Sequence, residues 1–172
     1  RYRDAAGTFE TAIGLDSTVA AAYHGLGAAH HLQGDAAAAI PFYLRATQLD
    51  STRLTVLADL ARACVEQRRF EQALRAYDRA LRLDPSRLDL RSRRGYVLAL
   101  TGHMDEGLLE LEQVLAADGQ RIDTRQSLAE VYTAAGLVAD AIEQWQAVLR
   151  LDPDHKLAAA RMARLQQRNA GG

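Results

Sequence analysis

The residues with the clearest capacity for chemistry are five histidines, because an imidazole can bind a metal ion or transfer a proton near neutral pH. They are His24, His30, His31, His103 and His155. The first three share one predicted helix, on which a two-histidine metal site needs partners four residues apart. His24 and His31 are separated by two helical turns, about 10 Å, which is too far for ligands of one zinc ion. We therefore predict no metal site and no cofactor.

Cys64 is the only cysteine. It falls at an apolar position of a helical pattern, so we expect a small buried side chain rather than a nucleophile. No glycine-rich phosphate loop, serine nucleophile turn or pair of catalytic carboxylates is recognisable. The sequence therefore predicts a protein that is not an enzyme. A single cysteine is compatible with the cytoplasm, which we favour, and also with the periplasm. The periplasm stays open because a chain that starts at Arg1 is expected to be truncated, so that a targeting segment would not be seen.

A basic run, Arg91, Arg93 and Arg94, is the main charge cluster, and acidic residues adjoin it. The chain as a whole carries 21 Lys and Arg against 22 Asp and Glu. A nucleic-acid binder needs a basic surplus to displace counterions, so we exclude that partner. No apolar run approaches the ~18 residues of a membrane span. The 48% hydrophobic composition rests largely on alanine and favours closely packed helices.

A Leu-Asp pair recurs along the chain at a constant interval of 34 residues. Its copies are Leu15-Asp16, Leu49-Asp50, Leu83-Asp84 and Leu151-Asp152, with a degenerate Ala117-Asp118 between the last two. Within each unit, apolar residues recur at i, i+3, i+4 and i+7 on two segments, and the turn between them carries Gly34 or its counterpart. The pattern predicts a series of helix pairs.

These units resemble the tetratricopeptide repeat, whose 34-residue pattern places Leu, a small residue and an aromatic on the first helix, then Ala, an aromatic and Pro. One unit reads Leu57, Leu60, Ala61, Cys64, Ala73, Tyr77 and Pro85, and another Arg125, Leu128, Ala129, Tyr132, Ala141, Trp145 and Pro153. The resemblance covers nearly the whole chain. It implies an all-α, right-handed superhelical solenoid of antiparallel helix pairs, with the first helices lining a concave face.

The same register divides the chain, which we treat as a single domain of residues 1–172. The expected parts are the second half of a truncated repeat at 1–19, full repeats at 20–53, 54–87, 88–121 and 122–155, a capping helix at 156–169 and a disordered tail at 170–172.

In this family, partners are held at fixed positions of the first helices. Transferred by register, these positions are His24, Ala28, His31, Asp59, Arg62, Glu66, Asp89, Arg93, Tyr96, Gln126, Glu130 and Thr133, extended by Arg161 and Arg164 on the last helix. Ordinary solvated surface is the alternative for such residues. Mixed charges with one aromatic suit a peptide or partner helix that carries both signs. The carboxylate clamp of co-chaperones is excluded, because Asp59 and Asp89 stand where it needs Asn and Lys.

Two residues depart from the family pattern. Arg94 stands where the family usually has Leu, and a bare buried guanidinium is costly. Glu110 faces this place from the second helix of the same unit, so we predict a structural ion pair between Arg94 and Glu110. Arg68 occupies the turn position that otherwise carries Gly, so it must adopt the left-handed backbone or the turn must lengthen.

The favoured function is a non-catalytic scaffold that binds a peptide or helix of a partner protein in the concave groove. A second hypothesis is self-assembly into a homo-oligomer, because the helix missing from the opening half-repeat would leave Phe9 and Ile13 uncovered. A third is a module that presents substrates to a larger enzyme.

Overall fold

In the computed structural model of the chain, the backbone is described for residues 2–170 and the side chains for residues 4–167. The described backbone forms ten α-helices and no strand, which confirms the all-α class. The helices are α1 (Tyr2–Leu15), α2 (Ala20–Leu32), α3 (Ala36–Leu49), α4 (Leu54–Glu66), α5 (Phe70–Leu83), α6 (Leu88–Leu100), α7 (Met104–Ala117), α8 (Ile122–Ala134), α9 (Val138–Leu151) and α10 (Lys156–Ala170). Of the expected tail, Ala170 belongs to α10, and residues 171 and 172 lie outside the described residues. Within residues 2–170, every helix is too short or too polar to cross a lipid bilayer.

The contacts between helices divide the chain into two compact units, residues 1–90 and residues 91–172. In the first unit, helices α1 to α5 pack in chain order, each against the next. In the second unit, α8 packs between α7 and α9, and α10 packs on α9. Short turns connect these neighbours, so consecutive helices run antiparallel. The repeat boundaries assigned from the sequence stay a prediction.

The aspartate of the repeated Leu-Asp pair organises the turns that follow α1, α3 and α5. Oδ1 of Asp50 accepts hydrogen bonds from the backbone N–H of Thr52 (3.0 Å) and from its hydroxyl (2.7 Å). The same pair of bonds occurs at two further copies, Asp16 with Thr18 and Asp84 with Ser86. These bonds hold the pKa of each carboxyl below its usual range. The recurring aspartate is therefore a turn-forming residue, because its side chain can take the place of a backbone acceptor.

Aromatic residues of the second helices hold the helix pairs together. Tyr43 on α3 and Trp145 on α9 are almost fully buried. The Tyr43 ring packs where α2 carries Gly27, and a Cβ atom at that glycine would lie 2.8 Å from the ring. Helices α6 and α7 approach even more closely, since a Cβ on Gly107 would lie 2.5 Å from the carbonyl oxygen of Gly95. Small residues on facing helices therefore set the short distance between them.

The edge expected to support self-assembly is partly covered within the first unit. Phe9 is half-buried, and its ring lies over Gly25 of α2, where a Cβ would stand 2.3 Å from a ring atom. Ile13 is also half-buried. Neither side chain is among the strongly exposed apolar residues of the described chain.

Arg94 and Glu110 form a direct contact between α6 and α7. Nη1 of Arg94 donates to Oε1 of Glu110, and only 21% of the Arg94 side chain and 18% of the Glu110 side chain are exposed. The other carboxylate oxygen, Oε2, is buried with no hydrogen-bond partner among the described residues. Burial raises the pKa of Glu110, and the attraction of Arg94 opposes that rise. The positive charge of Arg94 therefore favours the ionised form of a carboxyl group whose burial disfavours it.

Arg68 adopts the left-handed backbone, with φ of 56°. The glycines at the same place in other units have similar angles, 85° at Gly34, 92° at Gly102 and 77° at Gly136. A side chain at this conformation costs free energy because its Cβ crowds the following carbonyl oxygen. The unit with Arg68 therefore carries backbone strain that the others avoid.

The ion pair can be tested by removing the cation. The variant Arg94→Leu should lower the free energy of unfolding at pH 7 by about 2 kcal/mol, because it leaves Glu110 buried without a counterion. The double variant Arg94→Leu/Glu110→Leu should recover most of that loss. An acid whose folded pKa is raised stabilises the fold below its unfolded pKa and loses that contribution as pH rises through the folded pKa. The deficit of the single variant should therefore shrink toward about pH 4 in urea unfolding. Equal stability of Arg94→Leu and wild type at pH 7 would contradict this account.

The strained turn gives a prediction of opposite sign at two matched positions. Arg68→Gly should raise the free energy of unfolding by about 0.5 kcal/mol, because relief of the left-handed strain exceeds the entropy that glycine adds to the unfolded chain. Gly34→Ala, where nothing lies within 4 Å of the added Cβ, should lower it by about 1 kcal/mol through backbone strain alone. Thermal or urea unfolding measures both. Destabilisation by Arg68→Gly would show that the contact of its guanidinium with the Phe70 ring outweighs the strain.

Candidate functional site

In the first unit, the polar residues expected to line a groove on α2 and α4 are bonded to one another. Nε2 of His24 lies 2.9 Å from Oδ2 of Asp59, and Nη2 of Arg62 donates to the other oxygen of that carboxylate at 3.0 Å. Two turns further along the two helices, Nε2 of His31 lies 2.9 Å from Oε1 of Glu66. The polar side chains on this face of the first unit are therefore hydrogen-bonded to one another.

Tyr43 lies beneath these pairs and fixes the orientation of one histidine. Its hydroxyl is 3.4 Å from Nδ1 of His31, and its ring centroid is 5.8 Å from that of His24. If Nε2 of His31 donates to Glu66, Nδ1 is left to accept from the tyrosine, which assigns the tautomer from the partners. Burial, assisted by the charge of Asp59, raises the pKa of Tyr43, so this hydroxyl stays a donor. Ala28, which completes the six groove residues expected on α2 and α4, is half-buried and lies between His24 and His31 in the sequence of α2.

In the second unit, α6, α8, α9 and α10 enclose a cavity of about 400 Å³. It is lined by Tyr96, Leu100, Glu130, Thr133, Ala134, Trp145, Arg161, Arg164 and Leu165. Five of these nine residues are among those expected at the groove from the sequence, namely Tyr96, Glu130, Thr133, Arg161 and Arg164. The volume is in the range of sites that bind small ligands or side chains of a partner.

One wall of the cavity is a hydrogen-bonded acid. The Tyr96 hydroxyl donates to Oε2 of Glu130 at 2.7 Å, and Nη2 of Arg161 lies 3.9 Å from Oε1 of the same carboxylate. Burial, and then the bond to Glu130, raise the pKa of Tyr96 to about 12. The hydroxyl therefore stays protonated at neutral pH and the carboxylate is held in place. The Thr133 hydroxyl donates to the carbonyl oxygen of Ala129 at 2.6 Å, so it too is occupied.

Arg164 is the lining residue whose charge is not matched. It is exposed on α10, and no described residue forms a hydrogen bond or ion pair with its guanidinium. Leu100 and Ala134, which line the same cavity at the ends of α6 and α8, are also exposed to solvent. The cavity thus combines an unpaired cation, Arg164, with the solvent-exposed apolar surface of Leu100 and Ala134.

The apolar side of the cavity is continuous with the core of the second unit. Trp145 and Leu165 belong to both, and the cluster they form also includes Ala129, Val148 and Ala158. Trp145 is 1% exposed, and its indole Nε1–H has no hydrogen-bond partner among the described residues. The sequence pattern identified Trp145 only as a packing residue. Its place beside the cavity, like those of Leu100, Ala134 and Leu165, depends on how α10 docks, which the 34-residue register does not specify.

The remaining expected groove residues lie outside the cavity lining. Both carboxylate oxygens of Asp89 accept from Arg87, at 2.8 and 2.7 Å, and this bond holds the pKa of Asp89 below its usual range. The Gln126 amide is engaged with His155, 2.6 Å away. Arg93 is exposed on α6. These three residues are therefore not brought together with Tyr96 and its neighbours.

The side chains capable of metal binding or nucleophilic chemistry are dispersed. Among the side chains of residues 4–167, no group of three or more His, Cys, Asp or Glu is arranged around a common point. His30 stacks on Phe42 with ring centroids 5.3 Å apart, and Nδ1 of His155 accepts from the N–H of Ala158 at the start of α10. Cys64 is buried, and burial raises the pKa of its thiol.

Comparison of sequences links the chain to one family. Two family matches, both described as tetratricopeptide repeat, cover residues 18–86 and residues 58–122. They overlap and together span more than half of the chain. Among curated proteins, no sequence matches significantly.

Several solved structures share the fold. YrrB, described as a TPR protein with an unusual peptide-binding site, is 24% identical with a TM-score of 0.80, over 93% of this chain and 82% of its own. TTC0263, a thermophilic TPR protein from Thermus thermophilus, is 26% identical with a TM-score of 0.76, over 97% and 91% of the two chains. MamA 41-end from Desulfovibrio magneticus RS-1 is 20% identical with a TM-score of 0.74, over 88% and 85%. With repeat matches across most of its length and this fold throughout, the chain belongs to the tetratricopeptide-repeat family.

Proposed function

We propose that the chain is a non-catalytic interaction module that binds a peptide or helix of a partner protein, with the cavity of the second unit as its principal site. Proteins of this family generally mediate protein–protein interactions and are typically scaffolds without catalytic activity. YrrB, which has the same fold, is described as having a peptide-binding site. The partner is accordingly a protein, and neither a cofactor nor a nucleic acid is part of the proposal.

The observation that carries the proposal is the composition of the cavity wall. Trp145 and Leu165 supply an apolar floor, while Tyr96, Glu130 and Arg161 supply polar groups in fixed orientations. Protein-binding sites combine these features, because apolar side chains provide affinity and oriented polar groups provide specificity. The lining holds no pair of a nucleophile and a base, since the Thr133 hydroxyl is bonded to the backbone.

The first unit is less suited to be the principal site. A ligand there would first have to separate His24 from Asp59 or His31 from Glu66. Each separation exposes two polar groups that must find new partners, so part of the binding energy is lost. The expected groove residues of α2 and α4 are therefore proposed as a flank of the binding surface rather than its centre. Self-assembly through Phe9 and Ile13 has weaker support, because both side chains are partly covered within the unit.

Filling the cavity tests the proposal. Ala134 is exposed in the cavity lining, and Ala139 is also exposed, on α9 outside the lining. Ala134→Phe and Ala139→Phe therefore add the same side chain at two exposed helical positions. Peptides selected by wild-type protein from a phage-displayed random library should bind it with a Kd on the order of micromolar. Calorimetry should show at least a ~10-fold weaker Kd for Ala134→Phe and no change for Ala139→Phe. Failure to select any peptide, or equal binding by both variants, would overturn the assignment of the cavity.

A further inference from the structure

We infer that the cavity of the second unit recognises an internal acidic side chain, Asp or Glu, that neighbours a large apolar side chain in the partner peptide. This inference rests on the proposed function and specifies the chemistry of the ligand. It depends on two properties of the lining, its charge balance and the position of its exposed apolar surface.

The charge balance of the cavity favours an anion. Two guanidinium groups, Arg161 and Arg164, line it together with one carboxylate, Glu130. That carboxylate already accepts from the Tyr96 hydroxyl and lies within ion-pair distance of Arg161. Arg164 has no ion-pair or hydrogen-bond partner among the described residues. A carboxylate is well suited to a free guanidinium, because its two oxygens match two parallel N–H donors.

The apolar surface of the cavity places a second requirement on the ligand. Leu100 is 45% exposed, and Ala134 is exposed beside it in the lining, whereas Leu165 and Trp145 are buried. An apolar group bound there would remove the exposed leucine from water and add to the existing core cluster. The free guanidinium and this surface line the same cavity of about 400 Å³. An acid and a large apolar residue that are neighbours in a peptide would therefore reach both.

The carboxylate is expected from a side chain rather than from the end of the partner chain. Recognition of a chain end also requires side-chain donors for the adjoining main-chain carbonyl groups. In this lining, the Tyr96 hydroxyl donates to Glu130, and Arg161 lies within ion-pair distance of the same carboxylate. The Thr133 hydroxyl, a further candidate, is occupied by the carbonyl oxygen of Ala129. The lining is thus suited to side chains, and the main chain of the ligand would remain outside.

The test uses heptapeptides that are acetylated at the N-terminus and contain no tryptophan. In the amidated set, residues 4 and 5 combine Asp, Glu, Asn or Gln with Phe, Leu, Ala or Ser. In a second set, Gln-Phe forms the final two residues and the carboxyl terminus is free. Isothermal titration calorimetry measures affinity, and emission of Trp145, the only tryptophan, reports binding beside the core. Arg164→Gln is compared with Arg150→Gln, which removes the same charge from an exposed arginine of α9 outside the lining.

We expect amidated peptides with an acid next to Phe or Leu to bind about 10-fold more tightly than their amide counterparts or the Ala and Ser peptides. Arg164→Gln should abolish the preference for the acid, and Arg150→Gln should retain it. Binding without preference for the acid, or a preference unchanged in Arg164→Gln, would overturn the inference and leave the proposed function standing. Stronger binding of the free-terminus peptides would overturn it in favour of chain-end recognition. Binding of no peptide in this set, together with failure of the phage selection, would remove both.

Discussion

The close seating of second-helix aromatic residues on small first-helix residues is the contact on which the other features of this protein depend. Tyr43 packs over Gly27, and Trp145 packs in a cluster with Ala129 at the corresponding place. This contact commits one side of each first helix to its own partner helix, because a 3.6-residue period leaves only one continuous apolar face. The opposite side of the first helix does not pack in the core, so it can carry charged and aromatic residues without loss of folding stability. The charged and polar residues of the proposed binding surface lie outside this helix–helix contact.

The two units use that free side differently. In the first unit, α2 and α4 face each other with histidines opposite acids, and these side chains are paired across the helices by hydrogen bonds. In the second unit, α8 contributes Glu130, whose bonds to Tyr96 and Arg161 leave Arg164 without a counterion. The polar groups on α2 and α4 of the first unit are paired with one another, whereas the cavity of the second unit keeps one cation unpaired among the described residues. Since binding energy is gained only where a ligand supplies what the protein lacks, the unmatched cation matters more than the total charge.

Much of the fold could be predicted from the sequence, because the 34-residue interval is an observation about the backbone. It indicated the helix pairs and which helix faces which, and it left two alternatives at Arg68, of which the structure has the left-handed backbone rather than a longer turn. The site could be predicted only in part. The register identified Tyr96, Glu130 and Arg164, which lie on first helices and the closing helix, but missed Leu100 and the role of Trp145. The pairing of Arg94 with Glu110 was predicted, but the pairing of His24 and His31 with acids of α4 was missed, because each histidine meets an acid 35 rather than 34 residues away. Long side chains reach across helices by rotamer choice, and spacing alone does not determine that choice.

If the cavity of the second unit is the binding site, the position of α10 links the proposed recognition to local stability. This helix contributes Arg161, Arg164 and Leu165 to the cavity, and in the second unit its packing partner is α9. Trp145 on α9 is the residue against which that packing forms, so the same indole closes the core and borders the cavity. Undocking of α10 from α9 would both remove the Arg164 guanidinium from the cavity and expose Trp145 to solvent. A ligand that binds only the docked arrangement must therefore stabilise α10 in proportion to its affinity, since binding to one of two states shifts the balance toward it. Tighter binding of the partner should therefore be accompanied by greater stability of the docked α10.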